Sequence, residues 1–365
     1  MNIRIATFNV ENLFSRFDFS GRVRRERRLL GGYDFDNPAQ FELARMVFTA
    51  VHADDMRQLT ALALAETNAD IVCLQEVDSE DSLEVFYDNY LKPVLHQQFG
   101  SVNKGLTPEE KQAVSSRYFY DWRYVLSGND TRGIDVALLS RREAALRSHA
   151  GLTYDFLRDQ PLDWQALTAA GEKPAKRIFR RDCLEVNVDL GGTHLTIFIC
   201  HFKSKQTGYL RGDSAAITNP IRHAEALAVR RLIEQKFGDR TAAAHWMICG
   251  DFNDFVYANG KAVACPALAP LLEGGFAVNV IERLPADERW THYHPNSDEH
   301  VQLDYILLSP ALAAANPQAV PQVIRRGQPW RVPRLADTPR YPRVGWQRPK
   351  ASDHCPVVIE IGIPH

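Results

Sequence analysis

The chain has 365 residues, 45% of them hydrophobic, which is enough to fill a sizeable core in one large domain or two ordinary ones. Its 43 Lys and Arg against 45 Asp and Glu leave a net charge of −2, so there is no global basic field and any polyanionic substrate must be held by a local patch. No apolar run is long enough to span a bilayer, and the first residues alternate like a strand rather than a signal peptide, so the expectation is a soluble, cytoplasmic protein without an obligate protein partner.

In chain order, Ile3 to Phe8 reads as a first strand ending at the amide Asn9. Residues 15–50 form the first of four expected loop insertions and carry an arginine run from Arg22 to Arg28, a solvated loop or a phosphate-facing patch. Asp54 or Asp55 then caps a helix with Met56, Leu59, Leu62 and Ala63 at helical spacing and Asn68 as its stop. The next strand, Ile71 to Gln75, delivers Glu76, an expensive placement unless the carboxylate is paired, binds a cation or emerges into solvent at the rim. Thr107-Pro108-Glu109-Glu110 has the form of a capping box opening another helix. Trp122 to Leu126 and Ile134 to Leu139 read as a strand pair whose connection carries Arg132, a phosphate contact or a surface arginine.

Residues 150–180 read as a second insertion. Cys183 to Val188 and Leu195 to Cys200 then alternate as strands, the latter ending at His201 and the local cations Lys203 and Lys205. Asn219 and Pro220 are taken to start a helix that stops at Gly238. Trp246 to Cys249 has the length of a buried strand, and Gly250 is expected to turn the chain so that Asp251 and Asn253 face one phosphate or hard cation together. Gly, Asp and Asn are equally the ordinary residues of an Asx-rich turn. Cys73, Cys183, Cys200 and Cys249 lie inside such apolar runs and read as reduced core residues.

Residues 255–300, the third insertion, contain His292 and His294. Their spacing suggests zinc, but no third ligand stands at a recognisable spacing, so a substrate-facing or packed loop is preferred. Asp304 opens an apolar strand and wants a partner. The fourth insertion, 311–350, interleaves eight cations from Arg325 to Lys350 with Trp330, Tyr341 and Trp346, as a nucleic-acid groove or a solvated loop would. Ser352-Asp353-His354 precedes the last strand, Val357 to Ile361.

Asn9, Glu76, His201 and Asp251 thus close strands, whereas Asp304 and Asp353-His354 open them. All six positions share one rim only if the last two strands run opposite to the others, which requires a mixed sheet with helices outside.

The ordered set Thr7-Phe8-Asn9, Leu74-Gln75-Glu76, Gly250-Asp251-Phe252-Asn253, Leu303-Asp304-Tyr305 and Ser352-Asp353-His354 resembles the endonuclease/exonuclease/phosphatase superfamily, which includes deoxyribonuclease I. The resemblance implies an α/β fold, a four-layered α/β/β/α sandwich with two packed mixed sheets, as a single catalytic domain over residues 1–365. It also implies phosphoester hydrolysis with Mg2+ or Mn2+. By the same resemblance, Glu76, Asn9 and Asp353 surround the cation, Asp251 and Asn253 position the attacking water and the scissile phosphate, and Asp304 orients the catalytic His354. His201 matches a second histidine of the deoxyribonuclease I type, and its presence argues against a close abasic-site relative. Lys203, Lys205 and Arg132 are candidates to hold phosphate. The resulting expectation is a metal-dependent phosphodiesterase, a nuclease acting on DNA. The alternatives are a phosphatase or phosphodiesterase of a phospholipid, inositol phosphate or other small phosphoester, and a non-catalytic nucleic-acid-binding module.

Overall fold

A computed structural model describes residues 1–13, 37–38, 54–102, 105–115, 117–130, 133–205 and 213–364. The arginine run at 22–28, nearly all of the 15–50 insertion, and Arg132 lie outside the described residues.

The described strands are β1 (Asn2–Leu13), β2 (Ile71–Val77), β3 (Trp122–Leu126), β4 (Asp135–Ser140), β5 (Ala145–Ser148), β6 (Cys183–Asp189), β7 (His194–His201) and β8 (Trp246–Asp251). They continue with β9 (Tyr257–Ala258), β10 (Lys261–Ala262), β11 (Val278–Asn279), β12 (His292–His294), β13 (Glu299–Val301), β14 (Asp304–Leu308), β15 (Gln322–Val323) and β16 (Val357–Gly362). One six-stranded sheet runs β15-β16-β1-β2-β4-β3, and a second runs β11-β14-β8-β7-β6-β5. Each has a central parallel pair, β1 with β2 and β7 with β8. β16 runs antiparallel to β1, and β14 antiparallel to β8, which is the reversal that the placement of Asp304 and His354 demanded.

The two sheets pack face to face. Ile3, Ile5, Ile71, Val136 and Ile359 from the first meet Leu184, Ile197, Met247, Cys249 and Ile306 from the second in one fully buried cluster. The outer face of the first sheet, with Ala6, Phe8, Val72 and Leu74, is covered by the helix Asp54–Thr67 through Leu59, Ala63 and Leu64. The outer face of the second, with Phe198, Cys200, Trp246 and Ile248, is covered by the helix Ser214–Phe237 through Ala224, Ala228 and Val229. Strands carrying apolar residues on both faces must be covered on both sides, and the result is the four-layered α/β/β/α sandwich.

Two local expectations need correction. The helix expected to open at Asn219-Pro220 begins at Ser214, where the Asp213 carboxylate accepts the Ala215 N–H at 2.9 Å, and Pro220 lies inside it. The Asn219 side-chain oxygen accepts from Arg222 instead of capping. Gly250 does not turn the chain. It stays in β8, paired with Cys200 and Tyr305, at φ +142°, where a Cβ would overlap the Cys200 carbonyl oxygen. The glycine is therefore required by the close approach of two strands.

The insertions are structured where they are described. Tyr154, Leu157, Leu167, Ile178 and Phe179 of the 150–180 segment join the core beneath the 214–237 helix. Within residues 257–301, β10-β9-β13-β12 form a small sheet, so the expected loop around His292 and His294 is a strand of a hairpin.

Candidate active site

The rim where the ends of β1, β2, β7 and β8 meet the starts of β14 and β16 gathers Asn9, Glu76, His201, Asp251, Asn253, Asp304, Asp353 and His354. Asp251 stands at its centre. Its Oδ2 accepts from Asn9 Nδ2 at 3.0 Å and from Asn253 Nδ2 at 3.2 Å, and lies 3.5 Å from His201 Nε2 and 3.9 Å from His354 Nε2. Its Oδ1 accepts the Asn253 backbone N–H at 2.8 Å. Burial raises the carboxyl to about 7, against the opposing charge of His354.

His354 is held from both sides. Its Nδ1 lies 2.8 Å from Asp304 Oδ2, and that oxygen also accepts the Thr291 hydroxyl at 2.6 Å. Thr291 Oγ1 in turn accepts the backbone N–H of Leu303 and Asp304, so the strand start fixes the hydroxyl that fixes the carboxylate. Burial works against a charged ring, but the carboxylates of Asp304 and Asp251 overcome it and hold the imidazole well above its ordinary range. Ser352 ties this segment to β1, its hydroxyl donating to the Asn9 carbonyl at 2.7 Å and accepting the His354 N–H at 3.0 Å.

Glu76 reaches the rim by a backbone device that the sequence hides. It lies at φ +68°, where the pairing of β2 with both neighbours slips, and across from it Glu11 and Asn12 on β1 also have positive φ. Such a bulge turns one side chain out of the ladder. The Glu76 carboxylate then accepts the Asn12 N–H at 3.0 Å and stands 3.9 Å from His201 Nε2. Asp353 is held well below the usual carboxylate range; burial opposes this, and Lys350, His354 and His292 outweigh it.

The expected phosphate contacts are used differently. Lys205 Nζ pairs with Asp254 at 2.9 Å and lies over the Phe255 ring, while Lys203 Nζ donates to the Ser204 carbonyl at 2.8 Å. Burial, followed by the Arg181 charge, pushes the Lys203 ammonium down to about 8. Asn253 donates its backbone N–H to Asp251 and shares its side-chain amide between Asp251 and the Phe202 carbonyl, so it orients that carboxylate. Sequence reading gave Thr291 and Ser352 no role of their own, because a hydroxyl that positions another side chain has no spacing signal of its own.

The donors Glu76, Asp353 and the Asn9 amide make an all-oxygen set. Asn9 Oδ1 takes the Glu11 N–H at 3.0 Å and keeps a second lone pair, so the chemistry of the set fits a hard divalent ion.

The fold agrees with the comparisons to known proteins. The chain belongs to the Endonuclease/Exonuclease/phosphatase family, whose model matches residues 6–354. The class is therefore phosphoester hydrolase. Among solved structures, truncated TDP2 from Caenorhabditis elegans is similar at 12% identity and TM-score 0.50, covering 100% of this chain and 98% of that one. The human Nocturnin catalytic domain is similar at 13% identity and TM-score 0.49, covering 99% and 94%. An AP endonuclease from Archaeoglobus fulgidus is similar at 16% identity and TM-score 0.44, covering 99% and 100%. At such identities the likeness concerns the fold, and the first of these carries it. No curated protein matches the chain in sequence. No helix among the described residues is long and apolar enough to cross a membrane.

Proposed function

We propose that this chain is a divalent-metal-dependent phosphodiesterase that cleaves DNA, with residues 1–365 acting as one catalytic domain. The observation that carries the mechanism is the placement of one buried carboxylate, Asp251, within 3.9 Å of two imidazoles and 3.0 Å of an amide on the opposite sheet. A cation held by Glu76, Asn9 and Asp353 would neutralise charge on a non-bridging phosphate oxygen. Asp251, oriented by Asn253 and Asn9, accepts a proton from the attacking water. His354, kept charged by Asp304, donates a hydrogen bond to the phosphate as negative charge develops. His201 supplies a further donor beside Glu76 and Asp251.

DNA is favoured by the segment leading into Ser352, where the Trp330 and Trp346 side chains stay 47% and 73% exposed beside Arg331 and Arg334. A second reading, a phospholipid or inositol phosphate substrate, draws support from how the other cations of that segment are used. Arg326 pairs with Glu66, Arg343 with Asp55, and Arg348 and Lys350 with Glu11. Arg325 lies over the Trp290 ring, and Arg340 donates to the carbonyls of Leu335 and Thr338. These cations staple the loop to the sandwich and leave fewer for a polyanion. The non-catalytic binding module is set aside by the family.

The deciding experiment offers duplex DNA, single-stranded DNA, RNA, phospholipid and phosphorylated inositol with magnesium, manganese or chelator. Metal-dependent cleavage of DNA is expected. Turnover of a lipid or inositol phosphate with intact DNA would transfer the case to the second reading, and full activity in chelator would remove the cation.

A further inference from the structure

His292 and His294 suggested a metal at the sequence level but lacked a third ligand. Folding sets His292 beside Asp353 and His354 instead, without His294. His292 on β12 makes an isolated antiparallel bridge to His354, and the Cys355 N–H donates to the Thr291 carbonyl at 2.8 Å, so the backbone itself fixes the two histidines side by side. Their rings are 4.8 Å apart. One ligand atom each from His292, Asp353 and His354 lie within 4.8 Å of one another. His292 is only 8% exposed, and its Nδ1 is buried with no hydrogen-bond partner among the described residues. A buried imidazole nitrogen without a partner costs free energy unless something binds it.

We propose that His292, Asp353 and His354 form a second metal site, sharing Asp353 with the all-oxygen set but otherwise built of imidazoles, for a borderline divalent ion such as zinc. Two imidazoles and a carboxylate are nitrogen-rich donors that favour zinc over magnesium. Ligand atoms around one tetrahedral zinc stand about 3.3 Å apart, so the set draws together on binding. His354 Nδ1 is already bound by Asp304, so the ring offers Nε2, and Asp304 becomes the outer carboxylate that orients a ligating histidine. Ligation then takes the nitrogen that faces Asp251, and a metal-bound ring donates no hydrogen bond to phosphate from it. Zinc at this site and hydrolysis at the rim exclude one another; this last step rests on the function proposed above.

Zinc chloride is titrated calorimetrically into the full chain without substrate, for wild type, His292→Ala and His292→Gln, with thermal unfolding recorded for each. A single zinc site is expected in wild type, weakened at least tenfold in both folded variants. Cobalt in the wild-type chain, which needs no variant, should give the strong ligand-field bands of a low-coordinate site with nitrogen ligands. In the presence of excess magnesium, zinc should inhibit wild type at a concentration at least tenfold below that needed for His292→Gln, each normalised to its own magnesium rate. Equal zinc affinity in wild type and folded variants, or a cobalt spectrum as weak as that of the hydrated ion, would overturn the site. Phosphodiesterase activity without zinc binding defeats this inference alone, and zinc binding without that activity defeats only the proposed hydrolysis.

Discussion

His354 illustrates how a side chain acquires a role from its neighbours. Nothing in Ser352-Asp353-His354 says which carboxylate will reach the ring, yet Asp304, fifty residues earlier, was conspicuous as an acid opening an apolar strand, and the two meet at 2.8 Å. Replacing His354 with Gln keeps a similar volume and removes the charge. We expect the cleavage rate to fall by about 10²–10⁴ with the unfolding midpoint within a few degrees of wild type, measured on the substrate that the panel identifies. Glu185 is a structural counterpart that drew no attention in the sequence. It is buried, and its carboxylate accepts from Lys236 Nζ at 2.7 Å and Asn187 Nδ2 at 3.0 Å, with His149 Nε2 also at 3.0 Å. Burial raises its pKa, but the bonds from His149, Lys236 and Asn187 outweigh it and bring the group from its ordinary 4.5 to about 2. A carboxyl depressed in the folded state contributes stability that is present above pH 4.5 and is lost as pH falls towards 2. Denaturation at stepped pH should show Glu185→Gln flattening that acid loss by on the order of 2 kcal/mol.

At the scale of elements, β8 shows what a strand sequence encodes and what it conceals. The apolar run from Trp246 to Cys249 announces a buried strand, and the strand is there. The reason for Gly250 is legible only across the sheet, because the Cys200 carbonyl occupies the space a side chain would need. Gly250→Ala should therefore cost about 3 kcal/mol or more, or prevent folding, by parting the parallel pair β7 and β8 and carrying Asp251 away from His201; urea denaturation and hydrogen exchange of β8 amides would read this. β2 is the converse case. Ile71 to Gln75 was readable as a strand, while the positive φ that swings Glu76 out of it comes from a slip in register against both neighbours. The capping box at Thr107 was fully local: Thr107 Oγ1 accepts the Glu110 N–H at 3.2 Å and Glu110 Oε2 accepts the Thr107 N–H at 2.8 Å. The 214–237 helix was misplaced at its start because Asn219-Pro220 imitates a cap whose donor-acceptor needs Asp213 meets instead.

For the molecule as a whole, two sheets carry the site jointly: Asn9, Glu76 and His354 belong to the first sheet and its approach, and His201, Asp251 and Asp304 to the second. The charge that such a site needs for DNA cannot come from a chain with a net charge of −2, so it must be local. The segment 325–350 lies on the path into Ser352, and most of its cations bind protein groups, which narrows the DNA prediction to Arg331 and Arg334. Neutralising both should weaken DNA binding uniformly across sequences and lower the slope of log affinity against log salt by about 1–2, measured by fluorescence titration, with hydrolysis of a small generic phosphodiester unchanged. An unchanged slope would move the substrate away from nucleic acid.

The sequence by itself determined a mixed sheet and the direction of its last strands, because apolar runs that end or begin in polar residues leave few ways to bring those residues to one rim; the four-layered sandwich was what the resemblance of its motifs implied. It also supplied the acids, amides and histidines that gather at that rim. Tertiary structure alone decided that Asp251 stands between two imidazoles, why Gly250 must be glycine, how Glu76 leaves its ladder, and that His292 stands beside Asp353 and His354. Those contacts join strands tens to hundreds of residues apart, and no local periodicity records the register in which such strands meet.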